Sequence, residues 1–200
     1  MKGREGLVRT IVWDVDDVLN DLMRVWLQQG WIPHHPDCRV RYEDLAENPP
    51  HGLLGTSLEE YHASLDAFRL SPLYREMTPL PEALEWFRQH GARFRHIALT
   101  GTSLVSAPVS AEWVLRRFGR WIRSFHFVPS PRRGQALPRY DDSKQSHLRW
   151  LGRGDFLVDD NEDNLRGLED LGIRGLLVQR PWNRGSLTLA QVLQQLADHD

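Results

Sequence analysis

Ile11-Val12-Trp13-Asp14-Val15-Asp16-Asp17-Val18-Leu19-Asn20-Asp21 changes character abruptly after its third residue. Val8 to Trp13 is an apolar, β-branched run of the length of a buried strand. It ends in Asp14 and Asp16, one apolar residue apart. A parallel strand buried in an open α/β sheet delivers its C-terminal end to the ligand crevice, so both carboxylates arrive in one place. Their repulsion calls for a divalent cation, and hard oxygen ligands of this kind suit magnesium. Asp after a strand also caps helices and makes turns, so the acid pair alone does not decide.

Working outward, strand and helix signals alternate. A helical segment runs from Leu22 through Val25, Trp26 and Leu27 to Gly30, and a Pro- and His-rich stretch follows from Ile32 to Gly55. Ser57-Leu58-Glu59-Glu60 has the form of a capping box opening a helix toward Phe68. A helix over Glu82–His90 is stopped by Gly91. Strands are then predicted at Phe94–Thr100, Phe125–Val128, Phe156–Asp159 and Ile173–Val178. Between and after them come helices from Ser106 to Phe118, from Asp142 or Ser143 to Leu151, from Glu162 to Leu171 and from Thr188 to Ala197. This order predicts an α/β protein with a parallel sheet of about five strands and helices on both faces. Residues 21–79 are too long for a crossover and read as a small helical cap inserted after the first strand. The expected division is a core of residues 1–20 and 80–200 with that cap.

Three further strand or helix ends carry polar groups. Thr100-Gly101 pairs a hydroxyl with a residue that lets backbone amides approach an anion, although Thr-Gly also makes plain turns. Lys144 falls in the first turn of a helix, where the dipole prefers an acid. An anion nearby would explain it, and a solvated surface lysine is the plainer reading. Asp159-Asp160 follows the apolar Phe156-Leu157-Val158 directly and would complete a metal site, or simply cap the next helix.

Bulk properties exclude little and suggest a setting. The 25 basic and 27 acidic residues leave a formal charge of −2, which announces neither a nucleic-acid polymer nor a membrane as partner. The single cysteine, Cys38, rules out an internal disulfide framework. No apolar stretch is long enough to span a bilayer, and no uninterrupted apolar segment before Asp14 suggests a signal peptide. A cytoplasmic protein is expected. His34, His35 and Cys38 lack a second ligand pair at a recognised zinc spacing. Trp86 and Trp113 read as core. Trp26, Trp31 and Tyr42 could stack on a base, with packing inside the cap the preferred reading for both tryptophans. Arg132, Arg133 and Arg139 read as a solvated basic loop.

The ordered set Asp14-x-Asp16, Thr100, Lys144 and Asp159-Asp160 resembles the four motifs of the haloacid dehalogenase superfamily of phosphohydrolases. The resemblance implies a Rossmann-like core with strand order 5-4-1-2-3. It also implies Asp14 as nucleophile and Asp16 as acid and base, protonated at first. Thr100, Gly101 and Lys144 would hold the phosphoryl group. Magnesium would be bound by Asp14, Asp16 through its backbone carbonyl, and Asp160, with Asp159 and Asn164 in support. Asp14–Asp21, Pro79-Leu80-Pro81-Glu82-Ala83-Leu84 and Arg180-Pro181-Trp182-Asn183-Arg184 are similar to segments of the 5′(3′)-deoxyribonucleotidases, except that Asp17 and Glu82 stand where glycines are usual. This narrower resemblance implies a nucleoside monophosphate as the small phosphorylated substrate. A sugar phosphate, and a non-catalytic binding protein on the same fold, are the alternatives. A carbon–halogen hydrolase fits less well, because Asp16 is an acid that such relatives lack.

Overall fold

The computed structural model describes residues 8–138 and 140–199. The basic residues before Leu7 and Arg139 of the predicted basic loop lie outside them. Among the described residues five strands form one sheet: β1 (Thr10–Trp13), β2 (Arg95–Thr102), β3 (Ile122–Pro129), β4 (Phe156–Asp159) and β5 (Arg174–Leu177). Their order is β3-β2-β1-β4-β5, the expected order read from the other edge, and every pairing is parallel. The fold is the predicted Rossmann-like α/β sandwich. β1 is central, and its side chains alternate between two cores, as a strand buried on both faces must. Ile11 and Trp13 enter the cluster that holds Trp86, Phe87, Trp113 and Phe118, whereas Val12 joins Leu99, Leu148 and Leu157 on the other face. Trp13 is fully buried and donates its indole N–H to His96 Nδ1 at 3.0 Å, while His96 Nε2 donates to the Gly91 carbonyl at 2.8 Å. This arrangement needs a neutral ring, and burial pushes the His96 pKa down to about 4.

The segment between β1 and β2 starts with a short helix α1 (Leu22–Val25), which widens into a π-helical turn over Trp26–Trp31. Ser57 caps α2 (Leu58–Leu70) by accepting from the Glu60 N–H. The Glu60 carboxylate accepts from the Thr56 hydroxyl rather than reaching back to Ser57, so only half of the predicted capping box forms. Next comes α3 (Pro72–Glu76), which the sequence reading left out. It is one turn and a half long, with Pro72 at its first position. Leu80 N–H donates to the Leu19 carbonyl at 2.9 Å, so the two ends of the segment lie side by side. Trp26 and Trp31 are buried against each other, and Trp26 also meets Tyr61 edge-on, as the packing reading expected.

The remaining helices are α4 (Pro81–His90), α5 (Ala107–Phe118), α6 (Lys144–Leu151) and α7 (Leu189–Ala197), each close to its predicted span. The helix predicted over Glu162–Leu171 does not form. Two 3-10 turns, Glu162–Leu165 and Glu169–Leu171, replace it because Gly167 between them takes φ 70°, which ends a right-handed helix. Among the described residues no helix is long and apolar enough to cross a membrane.

Candidate active site

The C-terminal ends of β1, β2 and β4 and the start of α6 converge on a cavity of about 460 Å³. Asp14, Asp16, Asp160, Thr100, Gly101, Lys144 and Asn164 all line it. Of the predicted site residues only Asp159 stands just behind the wall, fully buried. Gly101 belongs to the end of β2 rather than to a turn, and a Cβ built on it would meet nothing within 4 Å, so the backbone here opens directly on the cavity.

Lys144 lies at the first position of α6 behind the N-cap Ser143. It is not a solvated surface lysine. Its Nζ is 2.8 Å from Asp14 Oδ1 and 2.7 Å from Asp159 Oδ2. Burial opposes its charge, but Asp14 and Asp159 outweigh burial and hold its pKa above the ordinary lysine value. The two acids also explain why a cation tolerates the positive end of a helix. Asp14 Oδ1 accepts the Val15 N–H as well, at 2.8 Å, and Oδ2 has no partner among the described residues. Asp159 Oδ1 accepts from the Asn161 N–H and from Asn164 Nδ2 at 3.0 Å. Asp159 is thereby fully engaged, and Asn164 orients it. Asp160 Oδ2 accepts from the Trp182 indole at 2.8 Å, and its carbonyl accepts from Asn183 Nδ2. Arg180 Nε donates to the Asp17 carbonyl at 2.8 Å. The segment from Arg180 to Arg184 thus folds over both acid pairs. Nothing in its sequence says that an indole would hold Asp160.

Carboxylate oxygens of Asp14, Asp159 and Asp160 come within 4.8 Å of one another, the one such group of His, Cys, Asp or Glu among the described residues. Burial, and then the mutual repulsion of the three acids, pushes the pKa of Asp14 well above the carboxylate range. Burial and the charges of Asp159 and Asp17 bring Asp160 to about 7. Three carboxylates against one ammonium leave a surplus of two negative charges, which one hard divalent cation would cancel. The donor set therefore fits magnesium. His34, His35 and Cys38 form no comparable group, and His35 instead stacks on Trp31 at 3.6 Å.

Asp16 is placed differently from Asp14. Its carboxylate accepts four hydrogen bonds: from Arg69 Nη2 at 2.8 Å and Nε at 3.2 Å, from the Tyr74 hydroxyl at 3.1 Å and from Asn20 Nδ2 at 3.0 Å. Arg69 ends α2 and Tyr74 lies in α3, so the segment inserted between β1 and β2 grips the second acid of the first motif. Asp16 held in this way only accepts, so an acid's role requires it to exchange partners. Asp17 has φ 61°, a left-handed conformation that explains why glycine suits the position and that Asp tolerates better than most residues. Its Oδ1 accepts the Met23 N–H at 3.0 Å, which anchors the start of α1. Burial first, and the neighbouring acids after it, pushes its pKa well up.

Arg132 departs from the solvated-loop reading. Its Nε and Nη2 clasp the two oxygens of Asp66 on α2 at 2.7 and 2.8 Å, and Ser103 Oγ and Ser106 Oγ donate to Asp66 Oδ1. Arg133, by contrast, is solvated and pairs with Glu59 on the surface.

No family model matches the chain, and no curated protein matches it. Solved structures do. A haloacid dehalogenase-like hydrolase from Streptococcus pneumoniae superposes with a TM-score of 0.62 at 11% identity, covering 96% of this chain and 99% of that one. A second Streptococcus pneumoniae hydrolase gives 0.59 at 10% identity, covering 95% and 98%. A HAD-superfamily hydrolase of subfamily IA from Geobacter sulfurreducens gives 0.53 at 17% identity, covering 94% and 96%. At such identities the likeness is one of fold, and the fold is that of the haloacid dehalogenase-like hydrolases.

Proposed function

We propose that this protein is a magnesium-dependent phosphomonoesterase that works through an aspartyl-phosphate, with residues 1–20 and 80–200 as its catalytic core and residues 21–79 as a cap. The observation that carries this reading is the position of Asp14. A buried carboxylate with one oxygen fixed by Lys144 and its own backbone, and the other unpartnered, stands at a strand end facing a cavity. Asp14 Oδ2 attacks phosphorus, the bond from phosphorus to the leaving alcohol breaks, and water then attacks the acyl phosphate to release orthophosphate and restore the carboxylate. Thr100, the backbone at Gly101 and Lys144 hold the phosphoryl oxygens. Asp16 keeps Oδ2 on Arg69 and turns Oδ1 from Tyr74 to the leaving oxygen; it takes up a proton from solvent beforehand, gives that proton to the leaving oxygen, and regains one from the water in the second step. Asp14, Asp160 and the Asp16 carbonyl would hold magnesium, which offsets charge on the phosphoryl group. Asp159 positions Lys144 and Asn164.

The setting proposed is the cytoplasm, where Cys38 stays an unpaired thiol. The substrate proposed on the motif resemblance is a nucleoside monophosphate, with a sugar phosphate as the alternative. Trp26, Trp31 and Tyr42 do not line the cavity, so none of them is the base-stacking residue. Tyr61 and His62 of α2 are the rings that do line it. A panel of both substrate classes, ranked by kcat/KM, separates the two readings.

Two outcomes test the metal. Asp160→Ala should raise the magnesium concentration for half-maximal activity by about tenfold or more, and by more than Asp159→Ala does, since Asp159 is already spent on Lys144 and Asn164. Equal shifts would remove that distinction. The second outcome concerns pH. Asp14, Asp17 and Asp160 have raised pKa values in the folded chain, so the unfolded chain holds fewer protons, and metal-free stability falls as pH rises through the folded values. For Asp160 that window centres near 7. The melting temperature without metal should drop between about pH 7 and pH 8, above the range near 6.5 in which the unfolded chain's histidines lose their protons, and added magnesium should raise it more at the upper pH. A melting temperature that rises over this range without metal contradicts the assignment.

A further inference from the structure

We infer that the leaving group is uncharged: the site takes a phosphate monoester whose alcohol carries no second anion but does carry a hydroxyl or carbonyl opposite Tyr61. This inference rests on the phosphatase reading and narrows it.

The cavity lining has two contrasting parts. One is the polar floor around Asp14 and Lys144, where a phosphoryl group would sit. The other is built by α2 and the start of α1. Tyr61, His62, Leu65 and Arg69 line the cavity at intervals of one, four and eight residues, which places them along one helical face, and Leu22 and Met23 face it from α1. The alcohol portion is placed against this wall.

Among the described residues three cations line the cavity, and each already has its counter-ion. Lys144 is bound to Asp14 and Asp159. Arg69 is bound to Asp16 with both partners buried. Arg132 spends Nε and Nη2 on Asp66 and Nη1 on Ser130, whose hydroxyl it reaches at 2.9 Å. His62 adds no charge at neutral pH, because burial, and Arg132 after it, lowers its pKa. Six acidic residues line the same cavity, one of them, Asp163, paired with Arg166 outside it, so acids outnumber bases before any metal binds. One divalent cation and one phosphoryl group leave no lining cation among the described residues to pair with a carboxylate or second phosphate on the alcohol, which would be desolvated without a partner.

The wall does contain an under-used neutral donor. The Tyr61 hydroxyl is buried, and its one partner among the described residues is the thioether of Met23 at 3.7 Å, a weak acceptor. A substrate oxygen would be a better one. The Tyr61 ring is fixed edge-on to Trp26 at 5.3 Å, so the hydroxyl is held in place before substrate arrives. Tyr61 is thus assigned as a specificity residue. Asp66 is a positioning residue that keeps Arg132 from serving as an anion receptor.

The test measures kcat/KM with magnesium on matched esters. A hexose monophosphate is compared with the monophosphate of its sugar acid, a nucleoside monophosphate with the corresponding bisphosphate, and phenyl phosphate sets the baseline. The neutral member of each pair should win by about tenfold or more. Asp66→Asn, which frees Arg132, should shift each ratio toward the anionic member by about tenfold. Tyr61→Phe should cost about tenfold on the hydroxyl-bearing esters and clearly less on phenyl phosphate. Anionic members equal to or better than neutral ones, unmoved ratios in Asp66→Asn, or an equal loss on all esters in Tyr61→Phe would each overturn the inference while leaving the phosphatase reading intact. No magnesium-dependent hydrolysis of any ester, phenyl phosphate included, overturns both.

Discussion

Asp14→Asn should lower phosphate-ester turnover by about 10³-fold or more while the protein stays folded. The change keeps the size of the side chain and removes the attacking charge. Loss of a group that forms a covalent bond to the substrate removes a step that binding alone does not replace. Folding should survive because the site is over-supplied with acid: burial and its neighbours already push the Asp14 pKa up, and Lys144 keeps Asp159 at 2.7 Å. The variant should therefore melt at or above the wild-type temperature without metal and gain less from magnesium. Near-normal turnover by a folded Asp14→Asn protein would sink the nucleophile assignment.

Arg69→Met should destabilise the fold by about 3–5 kcal/mol, which for a chain of this size lowers the melting temperature by roughly 10 °C. Arg69 and Asp16 are both nearly fully buried, with side chains 7% and 9% exposed. Asp16 holds the guanidinium pKa above its ordinary value against the burial that opposes its charge. Removing the cation strands a buried carboxylate with only Tyr74 and Asn20 as donors. Asp16→Asn in the same chain removes that stranded charge, so the double variant should recover much of the loss. A single variant that melts within a degree or two of wild type, or a double variant no better than the single, would show that the pair contributes little.

These two residues mark what was and was not legible in the sequence. Asp14 was legible because a short apolar run that stops at acids can hardly be anything but a buried strand end, and a parallel sheet brings such ends together. The same logic covered Thr100, Asp159 and Asp160, whereas Lys144, at a helix start, was marked only by standing where the dipole prefers an acid. Arg69 was not legible. In Leu65-Asp66-Ala67-Phe68-Arg69 it looks like a basic residue in the last turn of a helix, favoured there by the dipole. Only the helical spacing from Tyr61 through Leu65 to Arg69, together with a knowledge of what that face meets, marks it as buried. Arg132 misled for a similar reason: a basic loop is normally solvated, and its partner Asp66 lies 66 positions away in sequence. Trp182 lies in a segment whose motif stands out in the sequence, but its bond to Asp160 is a tertiary fact. Glu162–Leu171 reads as a helix on pattern, yet Gly167 in the left-handed region breaks it, and that choice depends on the turn it must make to reach β5. Trp26, Trp31 and Tyr42 show a limit of another kind: a segment rich in aromatic rings needs most of them for its own packing.

Acid quench of the magnesium-activated protein during turnover of a phosphate ester carrying radiolabelled phosphorus, followed by peptide mapping, tests the central claim most directly. The account predicts label on the single peptide that contains Asp14, removable by hydroxylamine as an acyl phosphate should be, and absent from Asp14→Asn. Magnesium-dependent release of orthophosphate with no labelled protein, or with label on a peptide other than that of Asp14, would contradict it.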